Sequence, residues 1–300
     1  MDRIDSHQHV FWHQRDHHGL VKDMDEQSIR LAWLLSWEIP PSEDAPGYHR
    51  ALNPIHVRPD GTHPGIPLSD LLVARDRFPD RFLVGYCPNP VLSQAPRLLE
   101  AAVRMHGVQI CGEWKFRVLF DDPRCLELYS AAGTMGLPVV LHLDVPYLAD
   151  PKGGNLRYQP CWYGGTVDNL ERALQACPET IFLGHAPGFW REISGDARAD
   201  PDSYPSGKVL PGGRLQQLLD QYPNLHVDLS AGSALKALER DPVHALEFIS
   251  KYRDRVLFAR DDYGGALLRF LETLPLTEDV QKALFFQNAE RILSKSDAPG

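Results

Sequence analysis

The chain has no Cys-x-x-Cys pair, no long apolar run and no excess of basic charge, and each absence excludes a class of function. Its five cysteines (Cys87, Cys111, Cys125, Cys161, Cys177) are odd in number and scattered. That excludes a disulfide framework and predicts reduced, mostly buried thiols in a cytoplasmic protein. No stretch of about 18 apolar residues occurs, so no membrane-spanning helix is expected, and the opening Met1-Asp2-Arg3-Ile4-Asp5 has no apolar signal-peptide core. With 31 Lys+Arg against 40 Asp+Glu, the net charge is −9, which opposes binding to a nucleic-acid backbone. A Gly-rich phosphate turn after the first strand is missing too, which argues against a doubly wound dinucleotide fold.

What is present is an ordinary globular composition, 43% hydrophobic and 24% charged over 300 residues, long enough to bury a core without disulfides or a structural metal. Eight short apolar runs recur: Arg3–Val10, Leu31–Trp37, Phe82–Cys87, Val108–Phe116, Pro138–Leu143, Thr180–Gly184, Leu225–Leu229 and Arg255–Ala259. Between them lie segments of helical period, including Met24–Arg30, Leu68–Phe78, Pro96–Met105, Asp122–Met135, Val167–Ala176, Gly213–Tyr222 and Leu235–Tyr252. This rhythm predicts the α/β class and a (β/α)8 TIM barrel, a single domain over residues 1–300. A last amphipathic segment, Glu278–Leu293, is expected on the outside of the barrel. The long irregular stretches 38–67, 144–165 and 186–212 all follow strands and so belong at the C-terminal mouth. Their Tyr147, Tyr158, Trp162, Tyr163, Trp190, Arg191 and Tyr204 suit a small organic substrate.

The 13 histidines fall at telling places. In Asp5-Ser6-His7-Gln8-His9 the two imidazoles are two residues apart and share one strand face. Strand five ends in His142, strand six in His185, strand eight in Arg260-Asp261, and strand four carries Gly112-Glu113-Trp114-Lys115. A barrel gathers these ends at one mouth, where such a charge set calls for a cation. The period of strand four puts Val108, Ile110, Trp114 and Phe116 toward the helices and Cys111, Glu113, Lys115 and Arg117 toward the axis.

The Asp-x-His-x-His opening, the single histidines ending strands five and six, the aspartate after strand eight and the closing Asn288-Ala289-Glu290-Arg291-Ile292-Leu293 resemble the amidohydrolase superfamily. The likeness runs from about residue 3 to residue 293, and is nearest the branch of sugar-lactone hydrolases and related decarboxylases. It implies a divalent metal, zinc first and manganese second, as one or two ions. His7, His9, Glu113, His142, His185 and Asp261 would hold the metal, and Asp261 and His185 would do the acid–base chemistry. Asp261 is preferred to Asp262, while Arg260 departs from the small residue usual before that aspartate. Lys115 and Arg117 are candidate substrate-anion anchors, with Asp144, Arg191, Trp162 and Tyr163 as further substrate contacts. Asp228 and Ser230 rank lower, as second-layer partners.

The expected activity is a metal-dependent hydrolase acting on a C–O or C–N bond to a carbonyl in a small lactone, ester or amide. A mononuclear non-oxidative decarboxylase is the alternative, and a non-catalytic barrel binding module the second. No nucleic-acid or membrane partner is expected, and a homo-oligomer is left open.

Overall fold

Each of the eight apolar runs forms a parallel strand: β1 Ile4–Gln8, β2 Leu31–Leu35, β3 Phe82–Gly85, β4 Cys111–Trp114, β5 Val139–His142, β6 Phe182–His185, β7 Leu225–Asp228 and β8 Val256–Leu257. The computed structural model describes residues 2–294; residue 1 and residues 295–300, the ends of the expected 1–300 domain, lie outside the described residues. Strands β1 to β3 pair in chain order, as do β4 to β8. Two seams close the ring. At one, Tyr86 N donates to Ile110 O at 2.9 Å beside a Gly85–Ile110 bridge; at the other, Ser6 N donates to Phe258 O at 3.0 Å. The result is a (β/α)8 barrel with its helices outside.

Strand alternation divides the side chains into two layers. Ile4, Trp33, Leu35, Ile110, Val140, Leu183 and Leu257 fill the axis, while Ala32, Leu34, Phe82, Val84, Val139, Phe182, Val227 and Val256 pack against the helices. Each fully buried Leu, Ile or Val side chain contributes roughly 1.5–3 kcal/mol.

Two strands break the alternation where the polar residues begin. The register shifts between Asp5 and Gln8 in β1 and between Cys111 and Trp114 in β4. Ile4 and His7 therefore both reach the interior, as do Ile110 and Glu113, although each pair is three residues apart. This corrects the face expected for strand four: Cys111 lies in the outer layer with Val139 and Leu141, and Ile110 turns inward.

Helix ends follow local chemistry. Asp122 caps Pro123–Thr134 by accepting from Arg124 N, and Thr166 and Asn169 form a capping box on Val167–Ala176. The first helix is His17–Glu26 rather than Met24–Arg30, because Asp16 caps it by accepting from Gly19 N. His17 and His18 form its first turn. The expected Leu235–Tyr252 helix is two, Ala231–Glu239 and Pro242–Lys251; Pro242 cannot donate to a preceding turn, and Asp241 caps the second. The final segment does not lie outside the barrel. Ala289, Ile292 and Leu293 join the axial cluster, and the Asn288 amide donates to Arg253 O and Val256 O, so this helix plugs the end opposite the mouth.

Candidate metal centre

The C-terminal strand ends bring all six of the expected metal-site side chains into one cluster. His9 Nε2 lies 3.4 Å from Glu113 Oε2 and 3.5 Å from Asp261 Oδ1. His185 Nε2 and His142 Nδ1 share Glu113 Oε1, at 2.9 and 2.6 Å. His7 Nε2 is 4.0 Å from Asp261 Oδ1. His7 stacks edge-on with His185 and His9, at ring separations of 4.4 and 5.2 Å.

A second layer sets which nitrogen faces the cluster. His7 Nδ1 meets Asp228 Oδ2 at 2.8 Å, His9 Nδ1 meets Leu35 O at 2.7 Å, and His185 Nδ1 meets Ser230 Oγ at 3.1 Å. For His7 and His9 the outer acceptor keeps the proton on Nδ1 and leaves the Nε2 lone pair pointing inward. Asp228 and Ser230, ranked low from sequence, therefore orient the imidazoles. Asp261 itself sits at φ 48°, a costly conformation for a residue with a side chain, and its N–H donates to His7 O at 2.9 Å.

Burial dominates the electrostatics. It pushes His7 down to about 4, and His185 likewise to about 4 with the help of His7 beside it. Burial also raises the carboxyls of Asp261 and Asp228. For Glu113 burial acts upward too, but Lys115 and the His142 contact outweigh it and hold the carboxylate well below its usual range. His9 and His142 end above their usual value because carboxylates, Glu113 in both cases, outweigh burial.

The remaining predicted residues divide. Lys115 Nζ rests 4.2 Å from the Trp37 ring centre, 5.5 Å from Tyr163 and 5.9 Å from Tyr48. Burial opposes its charge, but Glu113, Tyr163, Asp261 and Asp144 hold the ammonium above its usual value. Tyr163 bonds Tyr48 hydroxyl to hydroxyl at 2.6 Å and stands edge-on to His142 at 5.4 Å. Asp144 Oδ2 lies 2.9 Å from His142 Nε2, and Gly188 N donates to Asp144 Oδ1 at 3.4 Å; a Cβ on Gly188 would fall 2.6 Å from Leu143 O, so only glycine allows this approach.

Arg117 is tied to the loop, its backbone N and guanidinium both donating to Glu43. Arg191 is buried and donates to the Ala197 and Asp200 carbonyls. Trp162 is half-buried in irregular backbone just after a turn. Arg260 points away from the cluster to Asp5 and Asp23, and Asp262 is exposed.

The aromatic wall differs from expectation. Trp190 is a core residue whose indole donates to Asp228 O, and Tyr147 and Tyr158 pair on an exposed hairpin. Trp37, Tyr48 and Trp12 take their place near the cluster; the Trp12 indole donates to Asp261 O at 3.3 Å. Tyr48 had no signal in the sequence, since a loop residue's reach depends on the loop's path. His63, in the loop after β2, is fully buried.

Two donor sets could hold a divalent ion, His7 with His9 and Asp261, and His7 with Glu113 and His185; in each set the ligating atoms lie within 4.8 Å of one another. The residues fit such a group on one further ground: His7 Nε2 and Asp261 Oδ1 are buried polar atoms with no hydrogen-bond partner among the described residues. An orphaned lone pair in the interior costs about 1–3 kcal/mol, and two that converge make a ligand pair. Imidazole and carboxylate suit zinc or manganese.

No family model matches this chain, and no curated protein matches it in sequence. Solved structures do. An uncharacterized TIM-barrel protein from Bordetella bronchiseptica aligns over 99% of this chain and 100% of its own, with TM-score 0.64 and 15% identity. The fold is a TIM barrel. A dihydroxybenzoic acid decarboxylase from Polaromonas, solved with bound manganese and 2-nitroresorcinol, aligns over 99% of this chain and 98% of its own (TM-score 0.58, 15% identity). A probable 2-pyrone-4,6-dicarboxylic acid hydrolase from Acinetobacter baumannii, with citric acid bound, aligns over 98% and 100% (TM-score 0.57, 13% identity). The barrel is thus the fold that the amidohydrolase resemblance implies. No helix among the described residues is long and apolar enough to cross a membrane.

Proposed function

We propose that this barrel is an enzyme of the amidohydrolase type, dependent on a divalent metal, that hydrolyses a C–O or C–N bond to a carbonyl in a small lactone, ester or amide. One observation carries the reading: His7 Nε2 and Asp261 Oδ1 are both buried, both unpartnered, and both aimed at the space that His9 and Glu113 also face. His7, His9, Glu113, His185 and Asp261 would hold the ion. His142, with both nitrogens against Glu113 and Asp144, serves the set by orienting those carboxylates. The ion, when bound, supplies Lewis acidity that polarises a carbonyl and acidifies water.

The chain's own residues do the rest. Asp261 Oδ1, whose basicity burial raises against the opposing pull of His7 and His9, takes the proton of the attacking water and returns it to the leaving oxygen or nitrogen. Lys115, charged and without an ion pair among the described residues, holds an anionic group of the substrate against the Trp37 and Tyr163 rings. The Tyr48–Tyr163 hydroxyl pair flanks that position, beside Lys115 and His142.

Non-oxidative decarboxylation is a second reading, supported by the likeness to the manganese-bound decarboxylase. Metal-loaded protein assayed against a lactone, ester and amide panel, with carbon dioxide release followed in parallel on hydroxybenzoates, separates the two. Hydrolysis of a panel member supports the first reading; carbon dioxide release alone replaces it with the second; silence of a fully metallated protein in both assays overturns the enzyme.

A further inference from the structure

The segment at the end of β2 faces two ways. Trp37 turns toward Lys115 and the metal centre, while its neighbours Ser36 and Glu38 line a separate cavity of about 480 Å³. This space lies between Tyr86 just past β3, the helix Ala95–His106 and the Pro64–Leu68 segment. We propose that it is a second ligand site, built for a free apolar α-amino acid, with the ammonium on Glu38, the carboxylate on Arg58 and the side chain along the helix.

The charges argue for a zwitterion. Glu38 Oε2 accepts from Asn89 N at 3.2 Å, and among the described residues the carboxylate has no ion pair. Arg58 donates from Nη1 to Thr62 Oγ1 at 3.1 Å and from Nη2 to Ile39 O at 3.3 Å, and no carboxylate touches it. A guanidinium carries five donors, so capacity remains. Glu38 and Arg58 share one cavity and feel each other's charge, yet stay unpaired. Two opposite charges held apart in a partly dry space match a ligand that carries both, and each is costly to desolvate alone.

The walls supply the apolar part. Leu98 and Met105, 37% and 76% exposed, form a rim that is hydrophobic without a partner, and the small Ala101 and Ala102 leave the volume open. The size falls in the usual range for small-molecule sites, roughly 300–1,000 Å³. Burial, with Glu38 nearby, pushes the Tyr86 hydroxyl up to about 12, so it stays protonated beside the head group. A simple amine leaves Arg58 unmatched, and a simple carboxylate leaves Glu38 unmatched, so both are rejected relative to the zwitterion.

Calorimetric titration of the full-length protein with L-phenylalanine tests this directly. Saturable binding of one molecule per chain is expected, and N-acetyl-L-phenylalanine and phenethylamine, each missing one charge, should bind about tenfold or more weakly, which corresponds to about 1.4 kcal/mol. Glu38→Gln and Arg58→Gln should weaken L-phenylalanine by a similar factor, and Ala101→Phe, on an exposed helix face, should fill the space and abolish binding. No saturable heat at millimolar L-phenylalanine, or binding indifferent to the loss of either ligand charge, overturns the proposal. The ligand series uses the unaltered protein, so it decides even if a variant fails to fold. Neither result depends on turnover at the metal centre.

Discussion

Two buried charge clusters lie on opposite faces of β1, and they are built differently. On the outer face Arg260 pairs with Asp5 at 2.7 Å and with Asp23 at 2.6 Å; Asp5 also receives His7 N, Gln8 Nε2 and Arg260 N, and Asp23 receives Gly264 N. Apart from Arg260 Nη2 and Gln8 Oε1, the polar atoms of that cluster are satisfied within the protein. On the inner face, His7 Nε2 and Asp261 Oδ1 are not. A closed ionic cluster fixes how β8 joins β1 and helix His17–Glu26, whereas an open one reserves positions for something the chain does not supply.

The difference predicts opposite responses to substitution. Arg260→Met strands two buried carboxylates, and the cost is about 3–5 kcal/mol, read as a lower urea midpoint. At roughly 2 °C per kcal/mol for a chain of this size or larger, Tm falls by on the order of 6–10 °C. Asp261→Asn in metal-free protein should stay within about 1 kcal/mol of the parent, since no hydrogen bond to Asp261 Oδ1 is lost there. Equal losses in the two variants would show that the inner cluster is a structural network as well, and the contrast would fail.

Metal is the complementary probe. Zinc or manganese at 100 to 1,000 times Kd should stabilise the parent by about 2.7–4.1 kcal/mol, seen as a rise in Tm that His7→Ala abolishes and Arg260→Met leaves intact relative to its own lower baseline. Asp261→Asn should also cut kcat about 10²–10⁴-fold, the usual share of a general base, measured on whichever substrate the panel yields. Retained turnover with bound metal would take Asp261 out of proton transfer.

The sequence shows the barrel and most of the donor set because both rest on local pattern: apolar runs at strand period, and histidines at their C-terminal ends. His7, His9, Glu113, His185 and Asp261 could be placed by counting along strands. What the pattern could not show is where counting breaks. The register shifts in β1 and β4 carry Ile110 inward and Cys111 outward, against strict alternation. Nor does pattern say which partner a side chain chooses. Arg191 reads as a substrate contact and Arg260 as an odd charge just before Asp261, but a buried guanidinium takes the nearest acceptors, here loop carbonyls in the first case and Asp5 and Asp23 in the second. Tyr48 reaches the centre only through the path of the loop between Trp37 and Gly65, whose ends pair as a short hairpin.

That loop holds the mildest case in the comparison, a buried histidine that is satisfied while neutral. His63 is fully buried; its Nδ1 accepts from Gly65 N at 3.0 Å and its Nε2 donates to Asn53 O at 2.8 Å. Protonation puts a hydrogen on Nδ1, where the Gly65 N–H already points, and charges a group that burial holds below its usual value. With the folded value depressed, the unfolded chain binds the proton more readily. The stabilisation from His63 is therefore complete above about 6.5, the ordinary histidine value, and declines as pH falls below it. Hydrogen exchange of the amides from Asn53 to Gly65, corrected for intrinsic rate, should accelerate between about pH 7 and about pH 5, and His63→Gln should flatten that dependence. A His63→Gln variant that keeps the full pH response would assign the loosening to another group in the loop and remove His63 from this series.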